Sequence, residues 1–243
     1  MESTQIRFRH MTPDILCCIF NYNENAGALA WKARLENHFE TVILDSGSNP
    51  KCPDALNLPN IYYSGLMNKA YELLLEKGCR WLMIVTSDIE ISDVNAERLV
   101  ENMKKISLSE NVGLYQPSCR WSRRGRALPQ SLCHFSGRIR KVNFQEGWFH
   151  MASREVLDVV LPVNTDINLL GWGIDLALCH AARVLHRLIL VDDRVRVLHP
   201  RGTGYRKEEA LQQMRAWHAT IPGYVSPRHF RPLRENIRYR AES

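Results

Sequence analysis

What the chain lacks narrows its class first. Its longest apolar run near the start, residues 15–20, falls far short of the roughly 20 residues that a membrane span needs. The opening MESTQIRFRHMTPD holds no apolar stretch of the signal-peptide kind, so a cytoplasmic protein is expected. Glycine and proline number only 13 and 11 in 243 residues, which argues against collagen-like and low-complexity chains. Cysteine is not scarce, but the seven copies form no CxxC clasp, and Cys17, Cys18 and Cys179 sit in apolar runs. All seven therefore read as reduced structural thiols, with no zinc site. Acidic residues are the minority, 26 against 32 Lys and Arg, for a net charge of +6. That balance favours anionic partners such as nucleic acid, phosphorylated substrates or an acidic lipid surface. The basic residues cluster at 120–126, 138–141 and 228–240.

What is present is an alternation of short apolar runs and helical periods. Strands are expected at 15–20, 42–44, 61–63 and 81–85, with helices at 26–38 and from Ser64, as its cap, to Gly78. Beyond Asp93 come a helix at 94–106, a strand at 112–117 and a loop or hairpin over 118–140. A strand at 142–144, helices at 154–160 and 174–184, strands at 188–191 and 194–198, and a helix at 208–218 follow. The tail after Pro222 reads as extended. Strands alternating with helices imply right-handed crossovers and a largely parallel sheet covered on both faces. Ligands of such sheets lie beyond the carboxyl ends of the strands. The polar runs at 21–25, 45–48 and 86–90 each follow a strand, so one crevice can collect all three.

Asp88 ends an apolar strand, with Glu90 two residues on. Carboxylates there can hold a divalent cation bearing a diphosphate, or simply cap the next helix. The run WLMIVTSDIEI resembles the strand and acidic motif of GT-A glycosyltransferases, in particular the inverting family 2 group. Other pieces match in the same order: Tyr22-Asn23-Glu24 resembles the family's Y-N-E, Leu44-Asp45-Ser46-Gly47-Ser48 its V-D-D-G-S, and Asn68 the Asn of its A-R-N. Gly171-Trp172-Gly173-Ile174-Asp175 resembles its W-G-x-D, and Val197-Leu198-His199 its closing V-x-H. The resemblance runs from about Ile15 to Tyr205.

The resemblance implies an α/β fold of GT-A (Rossmann-like) type, a mostly parallel sheet flanked by helices with a smaller acceptor-side region. It implies one domain over 1–243: a nucleotide-sugar half at 14–117, an acceptor and catalytic half at 118–205, and a C-terminal helix with a basic tail at 206–243. It further implies transfer of a sugar from a nucleoside-diphosphate sugar, a UDP-sugar by preference, to an acceptor hydroxyl with inversion. Tyr22, Glu24, Asp45, Asn68 and Ser87 would bind the donor nucleotide, and Asp88 and His199 would hold Mn²⁺ or Mg²⁺. Asp175 would be the general base, although a carboxylate in a first helical turn also suits the helix dipole. Trp148 and Trp172 would stack on the acceptor sugar or fill core. Ser46 and Thr86 stand where the family carries acids, which leaves less charge for a metal.

The acceptor could be a glycan, a lipid-linked sugar or another anionic group, which the segment at 120–126 could contact. The basic tail could touch a membrane periphery, a nucleic acid or a partner copy in a homo-oligomer. Two other readings compete. A nucleic-acid-binding module fits the charge but shows no recognised motif. A nucleotidyltransferase fits the sheet but lacks a Gly-rich phosphate loop.

Overall fold

The computed structural model describes residues 14–120, 131–134, 136–199 and 206–226. Among these, the strands are β1 (Ile15–Asn21), β2 (Glu40–Ser46), β3 (Ala55–Leu58), β4 (Trp81–Thr86), β5 (Glu90–Ile91), β6 (Val112–Cys119), β7 (Ile139–Lys141), β8 (Phe149–Ser153) and β9 (Leu188–Leu198). The helices are α1 (Asn25–Leu35), α2 (Tyr62–Lys77), α3 (Asp93–Ile106), α4 (Arg154–Val160), α5 (Ile174–Val184) and α6 (Lys207–His218). The strands form one sheet in the order β3-β2-β1-β4-β8-β6-β9-β5, with β7 added against β9. β3, β2, β1 and β4 are mutually parallel, and β8 runs antiparallel between β4 and β6.

The period-two alternation of β1 divides the core. Ile15, Cys17 and Ile19 face α1 and α3, packing with Trp31, Leu35, Leu99 and Met103. Leu16, Cys18 and Phe20 face α2, α4 and α5, packing with Met67, Leu74, Leu157 and Leu178. Both faces are buried, which is why β1 reads as a continuous apolar run rather than an alternating one. All seven cysteines are free thiols, and burial raises the pKa of Cys17, Cys18 and Cys179.

Several elements differ from expectation. Residues 61–63 are the entry to α2, and the strand in this region is β3, four residues long and partly exposed. Ser64 is therefore a fully buried residue inside α2, not its cap. The strand expected at 142–144 lies just upstream as β7. β8, a central strand, carries the polar His150 as its second residue, which hides it from an apolar-run reading. The two strands expected at 188–191 and 194–198 are one, β9, with a bulge: Pro117 registers with Asp192 but Ser118 with Arg196.

The bulge is built from buried charge. The Asp192 carboxylate accepts hydrogen bonds from Tyr115 Oη (3.0 Å), Asn102 Nδ2 (2.8 Å) and both ends of the Arg194 guanidinium (2.9 and 3.0 Å). Asp193 accepts from Arg140 at 2.8 and 3.0 Å and from Ser136 Oγ at 2.6 Å. Bulges re-aim a strand. Past this one, Val197 and Leu198 pair with Ile91 and Glu90 of β5, immediately beyond the acidic motif. Among the described residues no helix is long and apolar enough to cross a membrane.

Candidate functional site

The carboxyl ends of β1, β2 and β4 meet the turn at 86–89, which is pinned from three sides. From β1, the Phe20 carbonyl accepts the Ser87 N–H at 2.9 Å. From the segment before β8, the Trp148 carbonyl accepts the Thr86 N–H at 3.1 Å. From α1, the Trp31 indole donates to the Ile89 carbonyl at 2.8 Å. Gly27 lets α1 approach this closely, since a Cβ there would sit 2.1 Å from the Ser87 carbonyl oxygen. Gly27→Ala would gain about 1 kcal/mol of helix propensity. Overpacking against rigid backbone costs about 1–3 kcal/mol or more, so the clash wins. A lower Tm is expected for Gly27→Ala, and an unchanged or raised Tm would contradict this packing.

On this turn, Asp88 Oδ2 lies 3.8 Å from His199 Nε2 at the end of β9. Both side chains are half-buried. Burial pulls His199 below the ordinary imidazole pKa, and the Asp88 charge offsets part of that shift. The net effect leaves a neutral imidazole at pH 7, with a lone pair able to ligate. One carboxylate oxygen and one neutral imidazole suit Mn²⁺ or Mg²⁺, and the nitrogen favours Mn²⁺. Among the described residues no third His, Cys, Asp or Glu completes a cluster. Glu90, a second acid at the sequence level, pairs in β5 and lines a different cleft. The protein thus offers one carboxylate and one imidazole close enough to share a divalent cation.

The segment 145–148 runs from this pair toward α5, and side chains hold its backbone residue by residue. Cys179 Sγ accepts the Gln145 N–H (3.4 Å), and the Glu146 carbonyl accepts from Gln116 Nε2 (2.7 Å). The Gly147 carbonyl accepts from Tyr63 Oη (2.5 Å). A Cβ on Gly147 would stand 3.8 Å from the Cβ of Asp175, so this segment borders Asp175 at one end and the acidic turn at the other. Asp175 is half-buried in the first turn of α5, and its Oδ1 accepts the Leu176 N–H at 2.8 Å.

The start of α5 depends on Gly173, which caps the helix at φ +83°. Its carbonyl sits 3.0 Å from His218 Nε2 on α6, and a Cβ would meet that ring at 2.6 Å. Asn168 braces the same turn, accepting from the Gly171 N–H (3.1 Å) and donating to the Trp172 carbonyl (3.0 Å).

The expected site residues divide accordingly. Asp88, His199 and Ser87 are brought together, and Tyr22 and Glu24 are exposed where β1 ends. Asp45 and Asn68 are held by hydrogen bonds within the protein. Asp45 has no exposed surface, and it accepts from Asn21 Nδ2 (2.7 Å), the Ser48 N–H (3.3 Å) and the Ser48 hydroxyl. It therefore organises the 45–48 turn. Asn68 exchanges hydrogen bonds with the Val163 backbone at 2.8 and 2.7 Å, which ties α2 to the loop after α4. Trp148, 5% exposed, packs in the core with its ring 5.8 Å from that of His199. Trp172 remains half-buried at the α5 entry. Residues 121–126 of the basic segment and the whole tail at 228–240 lie outside the described residues. Sequence reasoning missed Gln116 and Trp31. For Gln116 a signal existed: a lone amide within an apolar strand must find hydrogen-bond partners once buried.

No protein-family model and no curated protein matches the sequence. Solved structures do match. A mannosyltransferase from Pyrobaculum calidifontis, solved with GDP-Man and Mn²⁺, superposes with TM-score 0.52 at 15% identity, over 84% of this chain and 64% of that one. Glucosyl-3-phosphoglycerate synthase from Mycobacterium tuberculosis, with Mn²⁺, UDP and product, gives 0.51 at 16%, over 83% and 76%. GalNAc-T7 with UDP, GalNAc and Mn²⁺ gives 0.54 at 11%, over 78% and 43%. The fold is GT-A. At these identities the likeness is one of fold, and the chain spans 64% of the mannosyltransferase's length.

Proposed function

We propose that this chain is a glycosyltransferase that moves a sugar from a nucleoside-diphosphate sugar to an acceptor hydroxyl. The observation that carries the reading is the pairing of Asp88 with His199. They are far apart in sequence, yet the β9 bulge and the β5–β9 pairing bring them to 3.8 Å beyond the strand ends of a GT-A sheet. Solved structures of similar fold bind UDP or GDP-Man together with Mn²⁺, which supports a nucleotide-sugar donor and a divalent cation.

On this reading Asp88 and His199 hold Mn²⁺, which when bound would neutralise charge on the departing diphosphate. Tyr22 and Glu24, exposed at the end of β1, face the nucleoside, a uridine by preference, and Ser87 lines the donor side. Asp175 takes the proton from the acceptor hydroxyl, so that the oxygen attacks the anomeric carbon with inversion. The clamped Gly147 backbone fixes where that acceptor can lie, and Trp172 borders it.

The test is release of nucleoside diphosphate from UDP-glucose, UDP-GlcNAc and GDP-mannose with Mn²⁺, water serving as acceptor. Asp175→Asn keeps the shape and removes the base, so turnover should fall by at least about 100-fold with nucleotide affinity unchanged. Turnover retained in Asp175→Asn would overturn the base role.

A further inference from the structure

α6 comes after His199 in the chain, and its inward side lies against the turn that opens α5. Gln213 Oε1 accepts the Leu170 N–H at 3.0 Å. A Cβ on Gly173 would lie 2.5 Å from Met214 Cγ and 2.6 Å from the His218 ring, so α6 comes as close to this turn as a glycine backbone permits. Met214 and His218, at i and i+4, share one face of α6. The His218 ring in turn stacks on that of Tyr224, with centroids 4.1 Å apart.

The Gly173 carbonyl takes two donors. The Ala177 N–H reaches it at 2.9 Å and closes the first turn of α5, and His218 Nε2 lies 3.0 Å from the same oxygen. A carbonyl only accepts, so this nitrogen of His218 is the one that carries hydrogen. Asp175 lies inside that turn, between Gly173 and Ala177. Glycine at φ +83° gives the turn no stiffness of its own, because its backbone is the freest of any residue. With the Ala177 bond made, the carbonyl is already satisfied, and burying an imidazole to supply a second donor costs desolvation. What the second bond adds is position, since it ties the Asp175 turn to a separate helix. On the other side, a Cβ on Gly171 would meet the Tyr63 ring at 2.7 Å, and the Tyr63 hydroxyl holds the Gly147 carbonyl. Asp175 is thus set between an anchor from α2 and an anchor from α6.

We propose that His218 is a positioning residue for Asp175: its Nε2–H, through the Gly173 carbonyl, fixes the first turn of α5 so that the carboxylate meets an acceptor hydroxyl beside Gly147. This role depends on Asp175 being the general base of the proposed transfer. Displacing a reacting group by about 1 Å can cost about 100-fold in rate. The effect should therefore appear in kcat, while donor binding at the Asp88 end stays as it is.

The test is steady-state release of nucleoside diphosphate from UDP-glucose, UDP-GlcNAc and GDP-mannose with Mn²⁺, run well below each variant's Tm so that only folded protein is compared. His218→Leu, close in volume but without a donor, should lower kcat at least about tenfold and leave the donor KM within about twofold. His218→Gln, whose amide keeps an N–H, should recover most of that loss. In the Asp175→Asn background, His218→Leu should cost less than about twofold more, because the carboxylate it acts through is gone. Arg215→Ala, an exposed charge on the same helix, should turn over as the wild type does. If the leucine variant does not fold, His218→Met, whose flexible side chain adapts to the same space, takes its place. A kcat within about twofold of the wild type, an equal loss in His218→Gln, or the full loss repeated in the Asp175→Asn background would overturn the positioning role and leave Asp175 as the base. Turnover retained in Asp175→Asn alone, or absent from the wild type with every donor, would remove the base and this role with it.

Discussion

Replacing Asp193 with alanine is expected to cost about 3–5 kcal/mol of stability, because it strands a buried guanidinium without its carboxylate. Asp193 has no exposed side-chain surface and the Arg140 side chain is 9% exposed. Arg140 also donates to the Leu132 carbonyl at 2.8 Å, a neutral partner that cannot replace the lost carboxylate. Urea denaturation should show the loss as a lower midpoint. The double change Arg140→Met/Asp193→Leu removes both charges and should recover most of it. A single variant within 1 kcal/mol of the wild type would mean that the pair is not buried as described. The same pair shapes the β9 bulge, so Asp193→Ala should also loosen the approach of His199 to Asp88 and weaken metal-dependent nucleotide binding.

Acid should destabilise this protein through one histidine in particular. His150, the second residue of β8, is buried, and neither ring nitrogen has a hydrogen-bond partner among the described residues. Burial alone pushes its imidazole down to about 3. The unfolded chain titrates near 6.5 and therefore takes up a proton that the folded chain refuses. Stability from this group is complete above pH 6.5, falls as the pH drops, and reaches its floor near pH 3. The linked loss is on the order of 4–5 kcal/mol at that floor. His150→Leu should flatten the decline between pH 6 and pH 4 while leaving other acid-sensitive contacts in place. An identical pH profile for His150→Leu and wild type would show that His150 is not the group responsible.

The sheet was legible because its parallel strands are buried on both faces, so β1 and β4 read as unbroken apolar runs. The strands that sequence reasoning missed break that rule for identifiable reasons. β3 is short and partly exposed, β8 carries a polar His150 as its second residue, and the acids of the β9 bulge look like a turn until Arg140 and Arg194 neutralise them. Asp88 and His199 could be found as a pair only through the family pattern, since the pairing of β5 with β9 that joins them leaves no local signal. Asp45 and Asn68 fit that pattern, yet here both side chains bond protein backbone or neighbouring side chains. A motif fixes a residue's place, but hydrogen bonds decide what it is free to touch. The supports at Gln116, Trp31 and Gly27 act across the fold, and no spacing in the sequence announces them.

The central claim is that Asp88 and His199 hold a divalent cation that carries a donor diphosphate. Thermal unfolding with UDP and with GDP, each with and without Mn²⁺, tests it most directly. A ligand at 100 times its Kd adds about 2.7 kcal/mol to the folded state, a readily measured rise in Tm. The account predicts a rise for one nucleotide that requires Mn²⁺ and disappears in both Asp88→Ala and His199→Ala. A rise that needs no metal and survives both substitutions, or no rise with either nucleotide, would contradict it.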